Sequence, residues 1–395
     1  MEGEGVDVQM DGVTIFTAAY QRAETLPRLY VSLQQQTSKQ FEWIVVDDGS
    51  TDGTEALVRG WAETERAFPI RFVRQPHGGK HRAHNRAVSM ARFEPFFIVD
   101  SDDYLASDAI ANVQTWFTEI ADDNTFVGVS GLKAHFDGRV IGGDGGGQIV
   151  DATNLEREEK DLLWDHSEVY KTSVLREFPF PEFPGEDFIG EGVVGNAIAL
   201  AGYKIRWHPV ITYYCEYRQD GLTCNARARD QRNPRGVLAN IRINRKYRPR
   251  QECGWQLLVW RSRHPSMAHV LREEEQEDIH TSVEGLKEEL CEWLAANSVR
   301  RLAIYGFGEY GHCVLSLRKV FGIDISYVMD RNPNMSSQND VLVYLPGKES
   351  FKADGVLVTM AQYDAGLDAW LKGRYGAVVW LMDLIRNAHL AERDA

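Results

Sequence analysis

Cysteine is scarce in this 395-residue chain, and the five present (Cys215, Cys224, Cys253, Cys291 and Cys313) are scattered, odd in number and without a Cys-x-x-Cys pair. That pattern excludes a disulfide framework, speaks against a structural zinc site, and fits reduced thiols in a cytosolic protein. No apolar run approaches the length needed to span a bilayer. The N-terminal MEGEGVDVQMDG has neither the basic nor the apolar region of a signal peptide. Positive charge is short as well. Lys and Arg number 44 against 58 Asp and Glu, a formal charge of -14, which argues against nucleic-acid binding over the whole surface. The glycine-dense Gly142–Gly147 is followed by no Gly-Lys-Ser/Thr, so it reads as a mobile loop and not as a phosphate loop.

Apolar residues make up 43% and aromatics 11%, enough for well-packed cores, and the length calls for two domains. The stretch that organises the first half is Phe96-Phe97-Ile98-Val99 followed by Asp100-Ser101-Asp102-Asp103. Four apolar residues in a row read as a strand buried on both faces. Three carboxylates within four positions repel one another unless a cation or water stands between them. Asp-x-Asp at a strand's carboxyl end suits a hard divalent ion such as Mg2+ or Mn2+, which keeps positions open for phosphate oxygens. Taken alone, the run reads equally well as an acidic turn capping the next helix.

Its neighbours weigh on that choice. Val13–Tyr20 reads as a strand running into a loop, and Gln21–Gln36 as a helix with Leu26, Leu29, Tyr30 and Leu33 on one face. Phe41–Val46 is a second strand, ending in Asp47-Asp48-Gly49-Ser50-Thr51-Asp52-Gly53. Ile70–Val73 is a third, followed by Gly78-Gly79-Lys80 at the start of a basic helix, where backbone N–H groups suit a phosphate. Strand–helix alternation with polar strand ends predicts a doubly wound α/β sheet, whose ligands bind beyond the strands' carboxyl ends.

Four motifs carry a resemblance. Thr17–Arg22, Val45–Asp52, Gly78–Asn85 and Asp100–Asp103 are similar in order and spacing to family 2 glycosyltransferases. The resemblance implies a GT-A fold with a mixed sheet and an inverting transfer from a nucleotide sugar, UDP by family habit. The acceptor would be a saccharide or a lipid-linked molecule of surface polysaccharide or glycoconjugate synthesis. It further implies Thr17, Ala18 and Tyr20 lining the base and ribose pocket, and Asp48 hydrogen-bonding the base. Lys80 would lie near the base or phosphates, and Asp100 and Asp102 would serve ribose and metal, with Asp102 the direct Mn2+ or Mg2+ ligand. Arg22 and Ser101, from the same motifs, count among the donor-binding residues.

An inverting transfer needs a carboxylate to take the acceptor proton. Phe183–Gly192 supplies two registers: Glu191, favoured for its distance to Ala201-Gly202-Tyr203, and Asp187, second, for the letters of Glu186-Asp187. The competing reading is a helix N-terminus stabilised by acids. His208 is a candidate for the metal shell, set against a structural histidine. Tyr217–Thr223 reads as a loop able to close over donor or acceptor. The basic run Arg227–Arg250 suits steering of the donor, an anionic acceptor or a membrane surface, set against a solvated helix face.

Residues 253–297 read as helical, with Arg272–Asp278 an exposed acidic linker. Beyond it, Arg301–Tyr305, Gly306-Phe307-Gly308-Glu309-Tyr310-Gly311, a helix, and Ile325–Met329 ending in Asp330 form a dinucleotide-fold fingerprint in its proper setting. The domain is small and resembles Rossmann-like modules attached to sugar-transferring enzymes. A scaffolding or homo-oligomerising role is favoured there, with NAD(P) binding second. The expected organisation is thus a transferase domain at 1–230, a partly basic helical extension at 231–297 and a small Rossmann-like α/β domain at 298–395. The expected location is cytoplasmic, with the inner membrane face left open. The competing functions are a non-catalytic sugar-nucleotide-binding protein and an NAD(P)-dependent oxidoreductase.

Overall fold

The computed structural model describes residues 9, 11–216, 226–306, 308–331, 337–338, 341–347, 353–360 and 363–393. They fall into two compact units, Met1–Asn240 and Ile241–Ala395.

The first unit opens with β1 (Val13–Ala19), α1 (Leu26–Gln34), β2 (Phe41–Asp47), α2 (Thr54–Thr64), β3 (Ile70–Arg74), α3 (Lys80–Met90) and β4 (Pro95–Ile98). It continues through β5 (Tyr104–Leu105), α4 (Ala109–Glu119), β6 (Phe126–Ala134), β7 (Val150–Ala152), β8 (His166–Lys171), α5 (Thr172–Glu177), α6 (Gly192–Leu200), β9 (Lys204–Tyr214) and α7 (Ala226–Arg232). The sheet runs β3-β2-β1-β4-β8-β6-β9-β5, with β7 on β9. Parallel pairing joins β3, β2, β1 and β4, and β8 is antiparallel to both β4 and β6. This is the mixed α/β sheet that the sequence motifs imply.

Alternation along the strands fills both faces. Phe16, Ile44, Val46 and Phe96 pack with Ala83, Ala87 and Val88 of α3. Ile15, Trp43, Val45 and Phe97 pack with Leu29 of α1, Val58 of α2 and Val113 of α4. Phe96 and Phe97 are each fully buried, which is why β4 needs an unbroken apolar run. The parallel strands end together, so the polar loops after β1, β2 and β4 open on one edge.

Helix α8 (Pro234–Asn244) crosses the boundary between the units. The second unit contains α9 (Arg250–Arg263), α10 (Glu273–Ala296), β10 (Leu302–Tyr305), α11 (Glu309–Phe321), β11 (Ile325–Met329), β12 (Ser337–Gln338) and β13 (Val341–Tyr344). After these come β14 (Gly355–Val358), α12 (Ala365–Lys372), β15 (Ala377–Trp380) and α13 (Leu381–Arg393). Its sheet is ordered β12-β13-β11-β10-β14-β15, parallel throughout except for the β12–β13 pair.

One expectation is corrected here. Arg272–Asp278 is no exposed linker: Arg272 is the N-cap of α10, and Glu275 and Asp278 are 0% and 3% exposed. Arg242 grips both oxygens of Glu275 at 2.7 and 3.0 Å, and Arg245 Nε lies 2.5 Å from Asp278. Arg248 pairs with Glu252. Arg242, Arg245 and Arg248 of the basic run are therefore matched by carboxylates of their own unit.

Candidate active site

Asp48 organises the loop edge. Its amide donates to Ala19 O, while its buried carboxylate accepts from Gly78 N (3.0 Å), Gly79 N (2.8 Å) and Gln75 Nε2 (2.8 Å). His77 Nδ1 lies 2.8 Å from the same carboxylate. Four neighbours match the four lone-pair directions of a carboxylate, so Asp48 shapes the glycine turn from within. The His77 ring stacks on Tyr20 at 4.3 Å between centroids, and Tyr20 is 43% exposed.

The β1–α1 loop is laced to the loop after β2. Gln21 Oε1 accepts from Thr51 N and Asp52 N, and Arg22 N donates to Thr54 Oγ1. The Arg22 guanidinium folds back onto the carbonyls of Tyr20 and Gln21. Ala18 is half-buried at the loop edge. Thr17 is placed differently: strand alternation turns its side chain into the core, where Oγ1 accepts from Trp43 Nε1 at 3.0 Å.

Lys80 begins α3 and joins two distant segments. Its ammonium lies 2.6 Å from Asp100 Oδ1 and 2.9 Å from Glu191 Oε1. Burial opposes charge on Lys80, but the two carboxylates outweigh it and raise its pKa. Burial likewise works against Asp100, yet Lys80 and Lys133 hold its carboxyl down at about 2. Lys80 is the first cause of the lowered pKa of Glu191, which is therefore ionised at neutral pH.

Behind this array the Tyr213 hydroxyl accepts from Asp100 N at 2.9 Å and donates to Asp103 Oδ2 at 2.8 Å. The Lys133 ammonium lies over the Tyr213 ring, 4.4 Å from its centroid. Burial first, then the charge of Asp100, pushes Asp103 up to about 7. Ser101 is buried. The main-chain oxygen of Asp102 accepts from Arg28, and its partly exposed carboxylate has no side-chain partner among the described residues.

Asp100 is thus committed to Lys80 and Asp103 to Tyr213, leaving Asp102 as the available carboxylate. No group of three His, Cys, Asp or Glu side chains forms a metal shell among the described residues. A single carboxylate fits an Mg2+ or Mn2+ ion that takes its other oxygens from water and a diphosphate. His208 does not fit that shell. It is 4% exposed, stacks on Trp116 at 4.1 Å, and faces Glu119 at 3.6 Å. Burial, with Arg206 adding to it, holds its pKa down at about 4. None of these contacts is shared with the aspartate loop, so His208 acts in the packing of α4 on β9.

The acidic stretch before α6 divides its labour. Glu186 accepts from Arg235 N and Gly236 N at 2.9 and 2.8 Å, satisfying the first turn of α8. Asp187 is held by Asn233 Nδ2 at 2.9 Å and stands 3.9 Å from His77 Nε2. Glu191 is the N-cap residue of α6, with its side chain 71% exposed and on Lys80. A backbone contact ties this stretch to the glycine turn. Gly79 has φ +95, and a Cβ there would lie 1.8 Å from Asp187 O. Tyr217–Thr223 lies outside the described residues.

Sequence reasoning missed Tyr213, Lys133 and Arg28. Each reaches the aspartates from a different element, and none stands in a motif; an alternating apolar strand such as β9 gives no sign that one tyrosine meets a loop 113 residues away.

Comparison with known proteins places these loops. Residues 14–138, roughly a third of the chain, match the family model described as glycosyl transferase family 2. That segment includes every loop after β1, β2, β3 and β4, but neither Glu191 nor Tyr213. The chondroitin synthase of Pasteurella multocida is 36% identical over 99 residues, 25% of this chain and 10% of that protein. Abequosyltransferase RfbV of Salmonella typhimurium is 35% identical over 106 residues, 26% of this chain and 32% of that protein. The matched stretch thus spans about a tenth to a third of these relatives. Among solved structures, S. aureus TarS 1-349 in complex with UDP-GlcNAc aligns at 19% identity with a TM-score of 0.49, covering 70% of this chain and 80% of that one. The similarity to glycosyl transferase family 2 is thus carried by residues 14–138.

Proposed function

We propose that the first unit transfers a sugar from a nucleoside-diphosphate sugar, with UDP as the nucleotide, to an acceptor hydroxyl with inversion. The observation that carries this reading is the Lys80 bridge: one ammonium holds a donor-loop aspartate, Asp100, and the exposed carboxylate of Glu191, 111 residues beyond Lys80 itself.

The crevice has two ends. Tyr20 stacked on His77 offers a flat face for a nucleoside base, and Asp187 stands at that end, beside His77. Lys80, Asp100 and Asp102 make the charged end, where a diphosphate and the sugar beyond it belong, and Glu191 stands there. The base must meet the acceptor at the anomeric carbon, so we assign the role to Glu191 ahead of Asp187. Asp102 would hold the Mg2+ or Mn2+ ion, which offsets charge on the departing diphosphate.

In the transfer, the acceptor oxygen forms its bond to the anomeric carbon as the bond from that carbon to the phosphate oxygen breaks. The electron pair leaves with the diphosphate, and the acceptor proton passes to a Glu191 oxygen. Lys80 keeps Glu191 ionised before the donor arrives. A diphosphate that draws the ammonium toward itself leaves Glu191 more basic at the moment it is needed.

Release of the nucleoside diphosphate from a panel of nucleotide sugars, with water as acceptor, tests the assignment without a known acceptor. Glu191→Gln should lose about 10²–10⁴-fold in rate while still binding the donor, and Asp187→Asn should lose much less. A Glu191→Gln enzyme at the wild-type rate beside an inactive Asp187→Asn would transfer the role to Asp187.

A further inference from the structure

The second unit carries a cavity that sugar transfer leaves unused. It is an open cleft of about 670 Å3, lined by Tyr305, Arg331, Leu345, Pro346, Leu367 and Trp370 together with Asp364 and Gly366. That volume is in the range of small-molecule sites.

Its place in the fold follows from the strand order. Tyr305 is the last residue of β10, Arg331 follows β11 by two residues, and Leu345 follows β13 directly. Pro346 comes next, and the remaining lining, Asp364 to Trp370, comes from the N-cap and body of α12, which follows β14. The cavity therefore stands beyond the carboxyl ends of parallel strands. The order β13-β11-β10-β14-β15 reverses direction between β10 and β14, and parallel sheets hold ligands at such a reversal.

The lining has a definite chemistry. Leu345, Pro346 and Leu367 are apolar, and Trp370 leaves its indole 42% exposed. Arg331 is the cation of the cavity. Its Nε donates to the hydroxyl of the buried Tyr305 at 3.2 Å, which orients the guanidinium, and it makes no ion pair with a carboxylate among the described residues. Asp364 is occupied as the N-cap of α12, accepting from Leu367 N at 2.9 Å. A flat indole with apolar walls suits a planar ring, and a guanidinium that no carboxylate contacts directly among the described residues suits a phosphate, with the charge of Asp364 nearby.

The glycines of the turn after β10 agree with this division. A Cβ on Gly311 would lie 2.3 Å from Gly306 O, so Gly311 serves the packing of α11 on the strand end. Gly308 meets nothing within 4 Å, so packing does not account for it.

We infer that the second unit binds a nucleotide in this cavity, its ring against Trp370 and a phosphate on Arg331, independently of the sugar-donor site. The test is calorimetric titration of the full chain, without divalent metal, with NADH, NADPH and ADP as separate probes. Wild type, Arg331→Ala and Trp370→Ala are compared, with circular dichroism confirming that each variant is folded. At least one probe should bind, and removing the guanidinium should weaken it about tenfold or more, the loss expected for a charge-assisted hydrogen bond. Trp370→Ala, at a half-exposed position, should weaken it by about five- to tenfold. The probe that binds identifies the nucleotide. No binding of any probe up to about 1 mM overturns the inference, and so does binding that neither substitution weakens.

Discussion

Lys80 and Glu191 lie 111 residues apart in the chain and 2.9 Å apart in space. The contact joins the glycine turn after β3 to the N-terminus of α6, so the ammonium on one segment sets the charge state of the carboxylate on the other. Removing the ammonium by Lys80→Met should raise the pKa of Glu191, because Lys80 is the first cause that lowers it. A base works only when ionised. In wild type the acid limb of the pH–rate profile for diphosphate release therefore falls below the ordinary carboxylate range, and in Lys80→Met it should move to higher pH. An acid limb that stays in place would separate Lys80 from the base.

Asp103 gives a second pH test, of opposite sign. Its pKa is raised to about 7 by burial and by Asp100, against an ordinary 3.8. The folded state then binds the proton more tightly than the unfolded one, so this group's contribution to stability falls as pH rises from about 4 to 7. Asp103→Asn removes that penalty while leaving an acceptor for Tyr213. Relative to wild type, the variant should gain at pH 8 over its position at pH 5 by at least roughly 2–4 °C in Tm, the shift produced by about 1 kcal/mol. A difference independent of pH would contradict the burial of this carboxyl.

Gly79 is a steric test. With φ +95 and Asp187 O at 1.8 Å from any Cβ, Gly79→Ala must move either the glycine turn or the acidic stretch. Denaturant melts should show a loss of about 2 kcal/mol or more, and donor binding should weaken with it. Wild-type stability in this variant would mean that the two segments do not meet.

In the second unit, Arg242→Ala would leave the fully buried Glu275 carboxylate without its bidentate partner. Burial alone raises the pKa of Glu275, and Arg242 is the main group that brings it below the ordinary value. The expected loss is about 3–5 kcal/mol, the cost of breaking a buried pair from one side. Replacing both residues by apolar ones should recover much of it. A loss below about 1 kcal/mol in the single variant would show that water reaches Glu275.

The sequence was most legible where one residue type has one physical use. Phe96–Val99 had to be a buried strand because both its faces are apolar, and the glycines with the aspartates marked the loops at the strand ends. It was least legible where a side chain's partner lies far along the chain. Glu275 and Asp278 look like a solvated acidic run until Arg242 and Arg245, 33 residues earlier in each case, are seen to pair with them. His208 looks like a ligand on type alone, but Trp116 and the bulk of α4 claim it. Thr17 lies in the first of the four motifs, yet period-two alternation sends its hydroxyl to Trp43. Tyr213, which links Asp100 to Asp103, carries no mark in sequence at all.

The most direct test of the donor site is thermal stabilisation by UDP, GDP, CDP and dTDP, with and without Mn2+, on wild type and Asp102→Ala. A ligand that binds only the folded state raises Tm with its occupancy, by the equivalent of about 2.7 kcal/mol at 100 times Kd. The account predicts a shift with UDP that needs both the ion and Asp102. No shift with any of the four nucleotides, or one that is the same in Asp102→Ala and without Mn2+, would contradict a metal-assisted nucleotide-sugar site at the ends of β1, β2 and β4.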